Sequence, residues 1–263
     1  MSMAHYWKLI DKVIRDSDIV LEVVDARMAS ITRNRKVESK IKQARKPFII
    51  VLNKSDLITE KMRKNIERKL RSTNYVFVSC RARSGFSRLR KMIKSIAGEN
   101  KKIFIGVVGY PNTGKSSIIN SLVGRKKART SSIAGFTKGI QWVSDSKHLA
   151  LYDTPGVIPI EENDEIKQAL MSVIPPSQIK DPELVAIKII EIFIKENKSA
   201  LEKNYRIEAN DNPEDVIFSI GKKMNYLMKG GKIDIKRTCI KIINDWQKGK
   251  LFLKSDLCRE RDI

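Results

Sequence analysis

Histidine and cysteine are nearly missing from this 263-residue chain, which holds two of the first (His5, His148) and three of the second (Cys80, Cys239, Cys258). The cysteines are scattered and form no C-x-x-C pair, which excludes a disulfide framework and argues against a structural zinc site. A reducing, cytoplasmic setting is the expectation that follows. Neither histidine sits in a catalytic pattern, so both read as partly exposed polar residues. Long apolar runs are absent too: none approaches the ~20 residues of a membrane-crossing helix. The opening stretch mixes charges among its apolar residues, and no signal-peptide core is expected in it. Acidic residues are scarce, 30 Asp and Glu facing 52 Lys and Arg, for a net charge of +22. That imbalance predicts a polyanionic partner. With 41% hydrophobic and 31% charged residues the chain is globular rather than disordered, and long enough for one large domain or two ordinary ones.

The first two thirds alternate between short β-branched apolar runs and helical stretches. Strands are expected over 19–26, 47–53, 75–80, 103–109, 139–144 and 149–153, with helices over 3–15, 34–44, 59–71, 86–97 and 115–123. Near-continuous apolar strands between helices predict a doubly wound, mostly parallel α/β sheet over 1–165. Beyond 165 the strand signal stops, and helices are expected over 182–195, 213–229 and 234–248, a small all-helical domain covering 166–263. The first segment carries 33 basic and 16 acidic residues, the second 19 and 14, so the surplus is +17 and +5. It concentrates at 33–46, 81–94 and 125–129, with a further basic face at Lys236, Arg237 and Lys241.

The sequence G-Y-P-N-T-G-K-S at 109–116 follows an apolar strand and opens a helix, the setting a phosphate-binding P-loop requires. Glycines let backbone N–H groups curl around phosphates, and the helix N-terminus adds its positive end. Lys115 is then expected to reach the β- and γ-phosphates and Ser116 to bind Mg²⁺. N-K-S-D at 53–56 ends another strand and matches a guanine-recognition motif. A carboxylate accepts together from guanine N1–H and its 2-amino group, a donor pair adenine lacks. Asp56 would therefore discriminate, Asn53 would brace the loop, and the Lys54 stem would lie against the base plane. Alone, N-K-S-D would be an ordinary polar turn; beside a P-loop it selects GTP. D-T-P-G at 153–156 matches a third motif, in which Asp153 holds Mg²⁺ and the Gly156 N–H faces the γ-phosphate. Thr137 lies in the loop before the next strand, where a hydroxyl can complete the Mg²⁺ shell only while the γ-phosphate is present. Ser79 and Cys80 end the third strand, with the Cys80 N–H expected to face guanine O6.

The order of these motifs departs from a Ras-like domain, which runs P-loop, switch threonine, D-x-x-G, N-K-x-D and then the serine-rich guanine loop. Here N-K-S-D and Ser79–Cys80 come first, which is a circular permutation. Surface termini lying close together make that permutation physically possible. The chain resembles the circularly permuted GTPases of ribosome biogenesis of the YlqF type (ribosome-biogenesis GTPase A-like), on the motif order, the D-A-R segment at 25–27 and the helical C-terminal part. Ala29 and Ala134 stand where that family's pattern has proline.

The resemblance implies a GTPase acting on the large ribosomal subunit through ribosomal RNA, a monomer off the ribosome, with no membrane partner. It also implies that Asn112 coordinates K⁺, which would neutralise developing charge. Val157 occupies the position of the glutamine that orients water in Ras-like enzymes, so intrinsic turnover is expected to be slow and raised by K⁺ and the ribosomal particle. The full expected nucleotide contact set is Asn53, Lys54, Asp56, Ser79, Cys80, Asn112, Thr113, Gly114, Lys115, Ser116, Ser117 and Gly156. Lys115, Thr137, Gly156 and Asn112 are the residues assigned to catalysis. The alternative is a GTP-dependent RNA-binding scaffold with negligible turnover.

Overall fold

The structure is a computed structural model that describes residues 3–98, 102–124, 141–144, 149–153 and 164–253. Contacts divide the chain into two compact units, Met1–Asp56 with Ile66–Glu162, and Leu57–Asn65 with Asn163–Ile263.

Among the described residues the first unit holds a six-stranded sheet, built from β1 (Ile19–Asp25), β2 (Phe48–Asn53), β3 (Tyr75–Phe77), β4 (Ile103–Val108), β5 (Gln141–Ser144) and β6 (Leu149–Asp153). Its order is β3-β2-β1-β4-β6-β5. All neighbours run parallel except the β5–β6 pair, which is antiparallel. Because β2 and β4 lie on opposite sides of β1, the strand order reverses there. In doubly wound sheets the crevice beyond the carboxyl ends at such a reversal is where ligands bind.

Both faces of the sheet are covered. Helices α1 (Met3–Asp16), α2 (Ala29–Thr32) and α3 (Arg35–Gln43) come early in the chain, and α5 (Phe86–Ala97) and α6 (Lys115–Val123) later, whereas α4 (Glu60–Lys69) is divided between the two units. On one face Ile19, Leu21, Val23, Ile49, Val51 and Val107 pack with Leu89 and Ile93 of α5 and Ile118 of α6. On the other, Val20 and Val108 pack with Ile10, Val13 and Ile14 of α1 and with Val37 and Ile41 of α3. The period of two along β1 sends its alternate residues to these two cores.

Glu22 shares the parity of Val20, and its carboxylate Oε1 accepts the Asn34 N–H at 2.7 Å. Burial pushes the Glu22 carboxyl up to about 8; the Asn34 bond opposes this, the Glu38 carboxylate adds to it, and Arg33 opposes it. The folded state therefore keeps a proton that the unfolded chain releases near 4.5. Stability should accordingly fall as pH rises from about 4.5 to about 8. Thermal melting across that window should show the decline in the parent chain and a flatter profile in Glu22→Gln.

The second unit contains α7 (Glu165–Leu170), α8 (Pro182–Tyr205), α9 (Pro213–Lys223) and α10 (Ile235–Gln247). Asp164, Asp181, Asn212 and Asp234 cap these helices by accepting N–H groups in their first turns. Val185, Ile189 and Phe193 of α8, Ile217 and Ile220 of α9, and Ile242, Ile243 and Trp246 of α10 are buried. Phe193 and Trp246 meet edge to face, with centroids 6.4 Å apart, and the indole N–H donates to Leu170 O at 3.0 Å.

Three expected elements differ in extent by three residues or more at one end. The helix expected over 213–229 ends at Lys223, because Asn225 is left-handed (φ 53°) and residue 227 pairs instead with Ile233 around Gly230–Gly231. Leu227 and Met228, counted as its apolar stripe, are 45% and 59% exposed. The helix expected over 182–195 continues to Tyr205 past a kink at Asn197 (φ −165°). The Asn197 side chain restarts it by accepting the Ala200 N–H. Strand β3 stops at Phe77 rather than Cys80, and Ser79 pairs with Ser84 in a tight turn.

Candidate functional site

Three strand ends meet at the reversal between β1 and β4. Strand β1 ends at Asp25, directly opposite Asn53 at the end of β2, and β4 ends at Val108, immediately before Gly109. The loop from 109 to 114 needs its glycines for space as much as for rotation. Gly109 has φ 144°, and a Cβ there would lie 2.3 Å from Val23 O. Gly114, which caps α6 at φ 96°, would place a Cβ 2.2 Å from the Asn53 side-chain nitrogen. Asn112 is left-handed at φ 58° and half-buried. Thr113 is buried, and its hydroxyl donates to Tyr110 O at 2.9 Å. Lys115 is 6% exposed, with its ammonium donating to Gly109 O at 2.9 Å and Tyr110 O at 2.8 Å. Ser116 and Ser117 occupy the first turn of α6 and are half-buried.

The N-K-S-D segment is joined to this loop by Asn53, whose Nδ2 donates to Thr113 O at 2.8 Å. Its Oδ1 accepts the Cys80 N–H at 3.4 Å, so one buried amide connects segments near 53, 80 and 113. The Ser79 hydroxyl donates to Asp56 Oδ1 at 2.6 Å and accepts the Ala82 N–H, which fixes the half-buried carboxylate. Ser55 N–H donates to Val78 O, holding the two loops together along the backbone. The structure thus brings Asn53, Asp56, Ser79, Cys80, Thr113 and Gly114 into one neighbourhood. Burial raises the Cys80 thiol to about 11, so it stays protonated at neutral pH.

Lys54 carries the feature that sequence reasoning missed. It is left-handed (φ 61°), and its ammonium donates to Asp25 Oδ2 at 2.7 Å. The same carboxylate accepts from Arg27 three times: Nη2 at 2.7 Å, Nε at 3.0 Å and the backbone N–H at 3.0 Å. Arg27 is fully buried at its side chain and Asp25 is 4% exposed there. Thr32 closes the loop, its hydroxyl donating to Met28 O and accepting the Asp25 N–H. Burial would raise the Asp25 carboxyl, but Arg27 and then Lys54 outweigh it and hold it below the usual carboxylate range. Burial in turn lowers the Lys54 ammonium, against the pull of Asp25. The available signal was positional: D-A-R and N-K-S-D each close a strand, and adjacent parallel strands bring such ends together.

Of the remaining expected residues, the Asp153 backbone lies opposite Val107 on β4, one strand from the P-loop. Its side chain lies outside the described residues, as do Thr137, Gly156, Val157, Ala134 and His148, the 125–129 cluster, and the side chain of His5. Among the described residues no group of three His, Cys, Asp or Glu side chains could hold a metal ion. An ion here would depend on hydroxyl, phosphate and carboxylate oxygens, a donor set suited to Mg²⁺. On α10, Arg237 stacks over the Tyr226 ring at 4.3 Å and Lys241 pairs with Asp245, so part of that basic face is engaged within its own unit.

Comparisons with known proteins agree with this geometry. A family model described as 50S ribosome-binding GTPase matches residues 104–219, and one described as RsgA GTPase matches residues 14–161. An uncharacterised GTP-binding protein of Methanocaldococcus jannaschii is 40% identical over 97% of this chain and 70% of its own length. Nucleolar GTP-binding protein 2 of Neurospora crassa is 32% identical and nuclear/nucleolar GTPase 2 of Oryza sativa is 31% identical, each over 93% of this chain. The chain spans only 40% and 47% of the length of these two nucleolar relatives. Among solved structures, GNP-bound YlqF of Thermotoga maritima aligns with a TM-score of 0.62 at 26% identity, covering 95% of this chain and 96% of that one. Its GDP-bound form aligns with a TM-score of 0.63 at 26% identity, covering 92% and 95%.

Proposed function

The chain belongs to the circularly permuted GTPases of the YlqF type, and on that basis we propose that it acts in assembly of the large ribosomal subunit, in contact with ribosomal RNA. The observation that carries its nucleotide reading is the Asn53–Thr113 bond, which ties the guanine motif to the phosphate loop across 60 residues of sequence. GTP would lie across that bond, with guanine on Asp56 and the Lys54 stem, and phosphates in the 109–116 loop. Lys115 would exchange its two carbonyl partners for β- and γ-phosphate oxygens. The Gly156 N–H would contact the γ-phosphate, and the N–H groups of Thr113, Gly114, Ser116 and Ser117 would face the others.

Ser116, Asp153 and Thr137 would hold Mg²⁺, and Asn112 would supply a carbonyl oxygen to K⁺. When bound, these ions neutralise charge developing on the transferred phosphate. Val157 offers no group to position water, so turnover is slow until K⁺ and the ribosomal particle raise it. Off the particle the protein is a cytoplasmic monomer. The same Val157 favours a second reading, a GTP-bound RNA scaffold with negligible turnover.

Single-turnover GTP hydrolysis separates the two, measured in K⁺ and in Na⁺, with and without large subunits. The GTPase reading expects a faster reaction in K⁺ and a further rise with subunits. Equal rates in the two salts would remove Asn112 from the cation site. Background rates in every condition would leave the scaffold.

A further inference from the structure

We propose that the cleft between α1 and α3 binds single-stranded RNA, with one base stacked on the Trp7 indole and backbone phosphates on Arg35, Lys36 and Lys40. This rests on the RNA-contact reading above and gives it a location. The cleft has a volume of about 560 Å³ and is lined by Trp7, Arg35, Lys36, Ser39, Lys40 and Gln43.

Helical spacing explains why these residues share a surface. Positions 35, 36, 39, 40 and 43 form one face of α3, while Val37, Glu38 and Ile41 form the buried face. The outer face therefore carries three cations, a hydroxyl and an amide, and no carboxylate. Glu38 points inward, with Arg33 donating to both its oxygens at 2.8 Å. Arg35 touches the same carboxylate at 3.3 Å, yet its side chain is 74% exposed. The carboxylate that pairs with Lys40 at 2.8 Å is Asp11, itself 49% exposed at its side chain.

Trp7 supplies the second requirement. Its ring packs against the Ile10–Val13–Tyr152 core and remains half-buried. The Lys40 ammonium lies 5.4 Å from its centroid, so the indole already attracts a cation. An aromatic surface beside several cations is how single-stranded nucleic acid is held: bases stack, and the charges follow the backbone. A duplex offers no unstacked base for the ring. Ser39 and Gln43, which also line the cleft, would offer donors and acceptors to a ribose 2′-hydroxyl, the group that marks RNA. On binding, Lys40 exchanges the ring for a phosphate, and a base takes its place.

The test is fluorescence anisotropy of a short, labelled, mixed-sequence oligoribonucleotide at graded salt, using the full chain. Trp7→Ala should weaken binding about 5- to 150-fold, the range for loss of one stacked base. Trp7→Phe keeps a ring that can fill the same core position and should recover most of the affinity. Replacing Arg35 and Lys36 together by Ala should reduce the logarithmic salt slope by ~1.4, about 0.7 for each lost single-strand phosphate contact. Parental affinity in Trp7→Ala, no recovery in Trp7→Phe, or equal affinity for the annealed duplex would each overturn the proposal. The assay uses no ribosomal particle, so loss of subunit binding by the parent chain would count against the assembly role while leaving this result to stand or fall by itself.

Discussion

Asp56→Asn should lower GTP affinity by ~10²–10⁴-fold and confer binding to xanthosine triphosphate. In the proposed site the carboxylate would accept from guanine N1–H and the 2-amino group, two charge-assisted bonds worth ~1.5–3 kcal/mol each. Their combined loss gives the stated range at about 1.4 kcal/mol per tenfold. An asparagine retains one acceptor and presents its NH₂ to a 2-amino group, donor against donor. Xanthine has a carbonyl at that position, so the same amide fits it. The Ser79 hydroxyl already fixes Asp56 Oδ1 at 2.6 Å, so the swap changes chemistry at a held position. Calorimetric titration with the two nucleotides reads both effects. Unchanged GTP affinity would remove Asp56 from the guanine site.

Arg27→Ala should destabilise the chain by about 3–5 kcal/mol, because it strands the Asp25 carboxylate in the interior with Lys54 as its remaining cation. The ion pair itself is not the source of so large a number, since burying two charges costs nearly what their attraction returns. The cost arises from removing one partner only. Urea denaturation gives the value, and Arg27→Lys should fall between the parent and Arg27→Ala because it restores charge without the two-bond guanidinium fork. Stability contributed by Asp25 is present above its ordinary value of 3.8 and is lost as pH falls toward its lower folded value. A near-neutral Arg27→Ala would mean the strand-end cluster is dispensable to the fold.

What could be read from the sequence was local. The 109–116 loop and N-K-S-D each carry their chemistry within eight or fewer residues, so spacing alone suggests what they bind. The parallel strands announced themselves as apolar runs because both faces are covered. The Asp25–Lys54 contact was hidden because it depends on register: the two residues are 29 apart and meet only once Asp25 lies opposite Asn53. Glu22 was hidden for a related reason, as a strand position buried by α3 looks the same in sequence as one facing water. The overlong helix beyond Lys223 shows the converse, since apolar spacing continued after a left-handed Asn225 had already turned the chain.

The surplus positive charge also changes meaning with the structure. Lys115 is committed to the Gly109 and Tyr110 carbonyls, and Lys54 and Arg27 to Asp25, whereas α3 presents its cations together on one outer face. The strand-end cluster around Asp25 and the outer face of α3 then share β1, which ends at Asp25 on one side and carries Glu22 under α3 on the other.

The most direct test of the assembly role is co-sedimentation with large ribosomal subunits at graded salt, comparing GDP with a non-hydrolysable GTP analogue. Salt-sensitive association with the large subunit is expected in the GTP-analogue state, and release with GDP. Failure to associate in either state, or association indifferent to the nucleotide, would contradict that role.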